Sequence, residues 1–305
     1  MRYFFVVNPN SRNRQTARLW PLIEKSLKET EIEFEFRFTK APLDAIEIAQ
    51  NAALSNFDII VSVGGDGTNN EVLNGIMRSN LNLEKMPALG FIPQGTGGDF
   101  RRTLNLSSDI TEAIKILKAG KRRRIDIGKI DFISNTSERI ERYFLNICSF
   151  GISGLVDYYV NHTTKFFGGK ASFMLGTLRG IFNYTNIPAN IVVDGKSLGE
   201  MNITLVAVAN GKYFGGSMMV APEAEPDDGL FDIIVMKDIS RLRFIRDGQK
   251  IYKGRHIVPP DVFALRGREV VVEKEGIYID LDGEDVGKTP ARFNIIPNAL
   301  DVIVP

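Results

Sequence analysis

The 305-residue sequence predicts two domains: an α/β domain built on a doubly wound parallel sheet, then a mostly antiparallel, β-sandwich-like domain. Three observations lead there. Short apolar runs alternate with helical patterns in the first third, and strand-like runs succeed one another afterwards. In that second part, Asp194-Gly195 and Asp282-Gly283 carry the signature of two-residue hairpins.

In chain order, residues 3–7 read as a strand, and the polar run Asn8-Pro9-Asn10-Ser11 as the turn that leaves it. A helix over 16–27 follows, with Leu19, Trp20, Leu22, Ile23 and Leu27 at helical spacing. Residues 33–38 form a second strand with Phe34, Phe36 and Phe38 on one face, and a second helix begins after Pro42. Residues 58–63 are nearly all apolar, as a central parallel strand should be. A helix at 70–77, a strand at 89–92, a glycine-rich loop and a helix at 110–117 complete this part. From Lys121 the texture changes. Strands are expected at 125–130, 143–147, 189–193, 202–209, 231–236, 269–272, 277–281 and 292–296. Helices near 171–182 and 240–252 interrupt them. The boundary is set at 125, giving domains 1–125 and 126–305 and leaving open a return of the last strand to the first domain.

Composition excludes several classes. Lys and Arg number 38 against 37 Asp and Glu, a net charge of +1, so no global field favours nucleic acid. Hydrophobic residues at 44% and charged residues at 25% exclude a disordered or fibrous chain. The single Cys148, in Phe-Leu-Asn-Ile-Cys-Ser-Phe, excludes a disulfide framework and reads as a buried small hydrophobe. His162 and His256 stand too far apart to argue for histidine-centred chemistry. No apolar run reaches the ~18 residues that cross a bilayer, and the amino-terminal run is broken too early for a signal peptide. The expectation is a cytoplasmic protein that meets any lipid from the inner membrane surface.

The most informative segment is Val63-Gly64-Gly65-Asp66-Gly67-Thr68-Asn69-Asn70. It leaves a buried strand and opens a helix, placing it at the carboxyl end of a parallel strand, where open α/β sheets bind ligands. Glycines let backbone approach a phosphate, and the helix amino terminus supplies N–H donors and a positive dipole end. A carboxylate in that cradle repels phosphate unless a metal stands between them, and Mg²⁺ is the usual choice with nucleotides. Neither better-known phosphate motif fits. Asn70 stands where a dinucleotide fingerprint begun at Gly65 needs glycine, and the Gly283–Thr289 run is one residue short of a P-loop. A second loop, Pro93-Gln94-Gly95-Thr96-Gly97-Gly98-Asp99, follows the next strand on the same sheet edge, and the two together make a clamp for a polyphosphate.

These motifs in this order resemble the lipid kinases of the diacylglycerol kinase catalytic type, which include the soluble bacterial diacylglycerol kinases and the sphingosine kinases. The Gly64–Thr68 loop is also similar to that of NAD kinases. Two positions depart from the pattern: Gly98 stands where Asn usually precedes the Asp, and Asn69 where an aliphatic residue is usual. The resemblance covers nearly the whole chain and implies a two-lobed, ATP- and Mg²⁺-dependent kinase. The first lobe would bind ATP, with Asn8, Pro9, Asn10, Ser11 and Thr39 lining the nucleotide site. Gly64, Gly65, Asp66, Gly67, Thr68, Asn69 and Asn70, with Gly95 and Thr96, would hold the phosphates. The second lobe would bind diacylglycerol or a related lipid alcohol.

Two carboxylate groups lie in the second domain. Asp282-Gly283-Glu284 reads locally as a hairpin turn, while residues two apart in an extended segment would project both carboxylates to one side. Transfer to an alcohol needs a carboxylate to accept the hydroxyl proton, and the resemblance implies that Asp282 or Glu284 is this base, with Asp66 organising metal and phosphates. Glu225-Pro226-Asp227-Asp228-Gly229-Leu230 reads as a solvated turn. The resemblance implies a Mg²⁺ site there, formed by the Asp228 side chain and the carbonyls of Glu225 and Leu230. Two surface features remain: the basic run at 121–124, and the mixed aromatic and lysine stretch at 165–174, suited to a lipid-entry lip. The alternatives are an NAD kinase-like enzyme with a soluble acceptor and a non-catalytic nucleotide-binding regulator. A homodimer is left open.

Overall fold

Aromatic and β-branched runs set the first strands, and the computed structural model carries the chain into two compact units. It describes residues 1–162 and 169–305, with backbone alone at 161 and 169–174. The stretch at 165–174 therefore lies outside the residues whose side chains are described. The first unit comprises residues 1–127 and 296–305, the second 128–295.

The first unit contains β1 (Arg2–Val7), α1 (Ser11–Glu29), β2 (Glu33–Phe38), α2 (Asp44–Leu54), β3 (Ile59–Gly64), α3 (Asp66–Arg78), β4 (Ala88–Pro93), α4 (Asp99–Thr103) and α5 (Ile110–Ala119). Strands β2, β1, β3 and β4 lie side by side in that order and pair in parallel, Tyr3 opposite both Phe34 and Ile59, and Ile59 opposite Ala88. Because β1 lies between β2 and β3, the chain reverses its direction of travel across the sheet there, and the crevice at the carboxyl ends of β1 and β3 is a topological switch point. All six residues of β3 are buried, as its apolar run requires. At the sheet edge, Phe36 and Phe38 are partly exposed but pack on Trp20 of α1, with ring centroids 4.8 and 6.0 Å away. Helix α5 is stopped at both ends by its sequence: the Asp109 side chain accepts the Glu112 N–H, and Gly120 takes the left-handed conformation. Helix α1 begins earlier than its apolar periodicity predicts, because Arg12, Asn13 and Arg14 turn with φ of 51, 56 and 66° before the regular helix starts.

The second unit begins within β5 (Arg122–Ser134) and continues through β6 (Arg139–Phe144), β7 (Ile147–Gly151), α6 (Ile152–His162), α7 (Gly169–Asn183), β8 (Ile187–Val193), β9 (Lys196–Ala209), the short β10 (Tyr213–Phe214) and β11 (Met218–Met219), and β12 (Phe231–Lys237). Then come α8 (Arg241–Ile251), β13 (Val262–Gly267), β14 (Glu269–Val272), β15 (Tyr278–Leu281) and β16 (Glu284–Ile303). Strands β15, β7, β9, β12 and β13 pair antiparallel in succession, and β8 pairs antiparallel with β9 and β14. Their inward faces share one core in which Phe144 stacks on Phe231 and Phe150 on Phe293, with centroids 5.7 and 5.9 Å apart. The end of β16 belongs to the first unit, where Val302 pairs in parallel with Leu89. No helix among the described residues is long and apolar enough to cross a membrane.

The basic run at 121–124 offers little free charge. Arg124 bonds Asp301 at 2.8 Å, Arg122 lies 3.7 Å from the same carboxylate, and Lys121 bonds the carbonyl of Pro305.

Candidate active site

In the first unit, parallel pairing brings three loops to one sheet edge. Asn8 follows β1 and ties two of them together: its N–H donates to the Val63 carbonyl, its side-chain amide donates to Thr68 Oγ1 at 3.0 Å, and its Oδ1 accepts the Asn10 N–H at 3.0 Å. The Gln94 N–H donates to the Gly64 carbonyl at 2.7 Å, joining the loops after β3 and β4. Those loops touch so closely that a Cβ on Gly95 would stand 2.5 Å from Gly65 Cα, so backbone passes backbone only because neither carries a side chain. The two glycine loops thus form one structure. Ser11 and Thr96 are partly or fully exposed beside it, while Thr39 is buried and donates its N–H to the Val7 carbonyl at 2.9 Å.

Asp66 opens α3 and reaches across to the second loop. Its Oδ2 accepts the N–H groups of Gly98 at 2.8 Å and Asp99 at 3.3 Å, whereas its Oδ1 is buried and unpartnered. Burial, and then the nearby Asp99 charge, raise its pKa above the ordinary carboxylate value against the pull of those N–H bonds. The orphaned Oδ1 is a hard oxygen donor of the kind Mg²⁺ takes, while the positive end of the α3 dipole beside it favours an anion such as phosphate. Asn69 and Asn70 commit their side chains elsewhere: Asn69 Oδ1 accepts from Ser62 Oγ at 2.7 Å, and Asn70, fully buried, accepts from the Asn74 amide.

In the second unit, Asp282-Gly283 forms the two-residue turn between β15 and β16, with φ of 51 and 89°, both on the positive side that this hairpin type demands. This is the hairpin that the local sequence predicts, so Asp282 and Glu284 are not two residues of one extended segment projecting alike. The turn points the Asp282 carboxylate at the break between β6 and β7, where Oδ2 accepts the Leu145 N–H (3.2 Å) and Oδ1 those of Asn146 (3.2 Å) and Ile147 (3.0 Å). The same contacts end the strand expected over 143–147, whose backbone donors serve Asp282 instead of a continuous ladder. Glu284, partly exposed, lies 3.6 Å from the buried Arg142. Sequence reading passed over Arg142, although the alternation of β6 sets it on the same inward face as Phe144, an uncommon place for arginine.

The turn at 225–230 is closed by cations of the protein itself. The Asp228 carboxylate pairs with Arg266 and accepts the Leu230 N–H, and Glu225 bonds Lys212 at 2.9 Å. Each Asp228 oxygen thus already has a partner within the protein, and a cation bound there would share this carboxylate with Arg266. Among the described residues, no cluster of three His, Cys, Asp or Glu side chains has the disposition of a metal site. Cys148 is buried, with its thiol pKa pushed well up by burial and the nearby Asp280 and Asp282.

A parallel-sheet unit with a glycine-loop cradle and a β-rich unit with a carboxylate turn define a class, and comparison with known proteins identifies it. Residues 2–130 match the diacylglycerol kinase catalytic domain, and residues 146–304 match the YegS C-terminal NAD kinase beta sandwich-like domain. The chain is 30% identical to a diacylglycerol kinase of Bacillus subtilis over 98% of its own length and 95% of that protein. It is 28% identical to one from Staphylococcus carnosus, over 98% and 94%. A crystal structure of a diacylglycerol kinase from Bacillus anthracis superposes with a TM-score of 0.72 at 25% identity, covering 100% of this chain and 97% of that one. The class is that of phosphotransferases with an alcohol as acceptor. Within it, the chain belongs to the diacylglycerol kinase family, with the two-domain fold and sandwich-like second domain of that family.

Proposed function

We propose that this protein transfers the γ-phosphoryl group of ATP to the hydroxyl of diacylglycerol or a close relative. The first unit binds the nucleotide through the joined loops around Asn8, Gly65 and Gly95, with Thr39, Thr68 and Thr96 beside them, and the second unit takes the lipid. Asp66 would hold Mg²⁺ through its unpartnered Oδ1, and the ion would neutralise charge on the triphosphate oxygens. A cation held by Asp228 and the carbonyls of Glu225 and Leu230 would compete with Arg266 for the Asp228 carboxylate.

Glu284 is the base in this reading. It takes the proton of the acceptor hydroxyl as that oxygen bonds to the γ-phosphorus and the bond from phosphorus to the β,γ-bridging oxygen breaks, releasing ADP. One observation carries the choice over Asp282: three backbone N–H groups already occupy the Asp282 oxygens, whereas Glu284 is partly exposed and rests against Arg142. Arg142 orients Glu284, and Asp282 fixes the turn that presents it. The lipid acceptor is supported by the family, its relatives being named diacylglycerol kinases. The test is incubation with γ-labelled ATP, Mg²⁺ and diacylglycerol in mixed micelles. Label should enter the organic phase as a monophosphorylated lipid; label appearing only in a soluble acceptor overturns the lipid reading.

A further inference from the structure

Beneath the Asp282-Gly283-Glu284 turn lies a second pair of carboxyl groups that the reaction does not consume. Asp280, 4% exposed on β15, sits opposite Ser149 of β7 in the antiparallel ladder. Its Oδ2 accepts from Ser149 Oγ at 3.1 Å, its Oδ1 accepts the Gly283 N–H at 2.8 Å, and Ser153 Oγ lies 2.8 Å behind Ser149. Asp280 therefore grips the turn by its backbone.

Helix α6 is pressed onto the same strand. A Cβ on Gly154 would stand 2.3 Å from the Tyr278 carbonyl oxygen, and Tyr158 packs on the Tyr278 ring at 4.9 Å. Asp157, one helical turn beyond Ser153 and Gly154, shares their face. Its Oδ2 is buried with no hydrogen-bond donor, and the strongest charge acting on it is that of Asp280, close enough for one carboxyl to bond the other. Two carboxylates in such contact cannot both stay ionised at modest cost, so one must carry a proton and donate it to the other. Burial, then the charge of Asp280, push Asp157 well above the ordinary range, with Asp285 and Glu284 adding to the effect from β16. Opposing cations are few among the described groups facing this place: Arg142 near Glu284, Lys288 stacked on Tyr278, and the exposed His162 near Asp285.

We propose that Asp157 and Asp280 form a carboxyl–carboxylate pair sharing one proton, and that this pair is a positioning device that braces the Asp282-Gly283 turn and so aims Glu284. The inference rests on the assignment of Glu284 as base, but its test has a reading that needs no activity. The thermal midpoint is measured from about pH 4, the ordinary Asp value, to pH 9 for the wild type and for Asp157→Asn, whose amide can donate the same bond permanently. A group with a raised folded pKa stabilises the fold at low pH and loses that contribution as pH climbs towards the folded value. The wild-type midpoint should therefore fall across this range and that of Asp157→Asn should fall distinctly less. Equal slopes overturn the shared proton.

In the lipid kinase assay, the alkaline decline of kcat should be weaker in Asp157→Asn, with kcat at pH 7 lowered by no more than about threefold, since the bond survives. Asp280→Ala should lower kcat by about tenfold or more while leaving KM for ATP unchanged, because it frees the turn and not the nucleotide loops. Ser149→Ala, a gentler loosening of the same bracket, should show the same pattern at smaller size and decides the question if Asp280→Ala does not fold. A rise in KM for ATP with kcat intact overturns the positioning role. A wild type inactive on every lipid would instead refute the functional assignment, and the midpoint comparison would still stand.

Discussion

Asp66 and Asp282 begin from the same local chemistry and end in opposite states. Each stands beside glycine at a turn and accepts backbone N–H groups from a distant segment. Asp66 takes two on one oxygen and leaves the other buried and unpartnered. Asp282 takes three, spread over both oxygens. A carboxylate whose oxygens are all engaged clips backbone together; one with an unmatched oxygen has chemistry left to do. The contrast teaches that a short acidic motif does not declare its role, because the role depends on how many donors the rest of the chain brings to it.

Four experiments can break or sharpen this contrast. The largest effect is expected from Gly95→Ala, whose new methyl would collide with the Gly65 backbone and push the two loops apart. Nucleotide affinity measured by calorimetry should fall by about 10²-fold, and unchanged affinity would mean the loops do not form the cradle. Asp282→Ala should come next. It strands three backbone donors, so urea denaturation should show a loss of about 3 kcal/mol, and a loss under 1 kcal/mol would deny the clip.

A pH experiment addresses Asp66. Its raised pKa means that the folded state holds this proton more tightly than the unfolded chain, so its contribution to stability is present at low pH and declines as pH rises through the folded value. Cation and nucleotide binding run the other way, weakening as pH falls through that value. Asp99→Asn removes the neighbouring charge and should shift the acid limb of Mg²⁺–ATP binding to lower pH; an unmoved limb would assign the titration elsewhere. The smallest effect belongs to Thr68→Val, which removes the acceptor of the Asn8 amide. It should cost about 1 kcal/mol in thermal denaturation, and no loss would show that this tie is replaced by solvent.

What the sequence revealed follows from locality. Strands 3–7, 33–38 and 58–63 declare themselves by apolar runs and alternation, and they are found as β1, β2 and β3 within a residue or two. The joined glycine loops were legible as well, since strand–loop–helix order places both at one sheet edge once the strands are parallel. Other features were hidden because their causes lie far away in the chain. Helix α6 was missed because Gly154, Val156, Tyr158, Tyr159 and Val160 are poor helix formers, and α6 gains its stability by seating Gly154 on β15. The break at 145–146 depends on Asp282, more than 130 residues downstream. Strand β13 carries Arg266 amid apolar neighbours, and the charge pairs with the carboxylates of Asp228 and Asp232 across loop and ladder. The same pairing occupies the turn that the family resemblance offered as a cation site.

The distinction between clip and base is tested most directly by single-turnover phosphoryl transfer from bound ATP, with urea denaturation of the same preparations, for Glu284→Gln and Asp282→Asn. The account predicts a crossed result: Glu284→Gln loses about 10²–10⁴ in transfer rate at wild-type stability, while Asp282→Asn loses stability first and rate only secondarily. Full transfer by a stable Glu284→Gln protein, with abolished transfer by an equally stable Asp282→Asn protein, would contradict it.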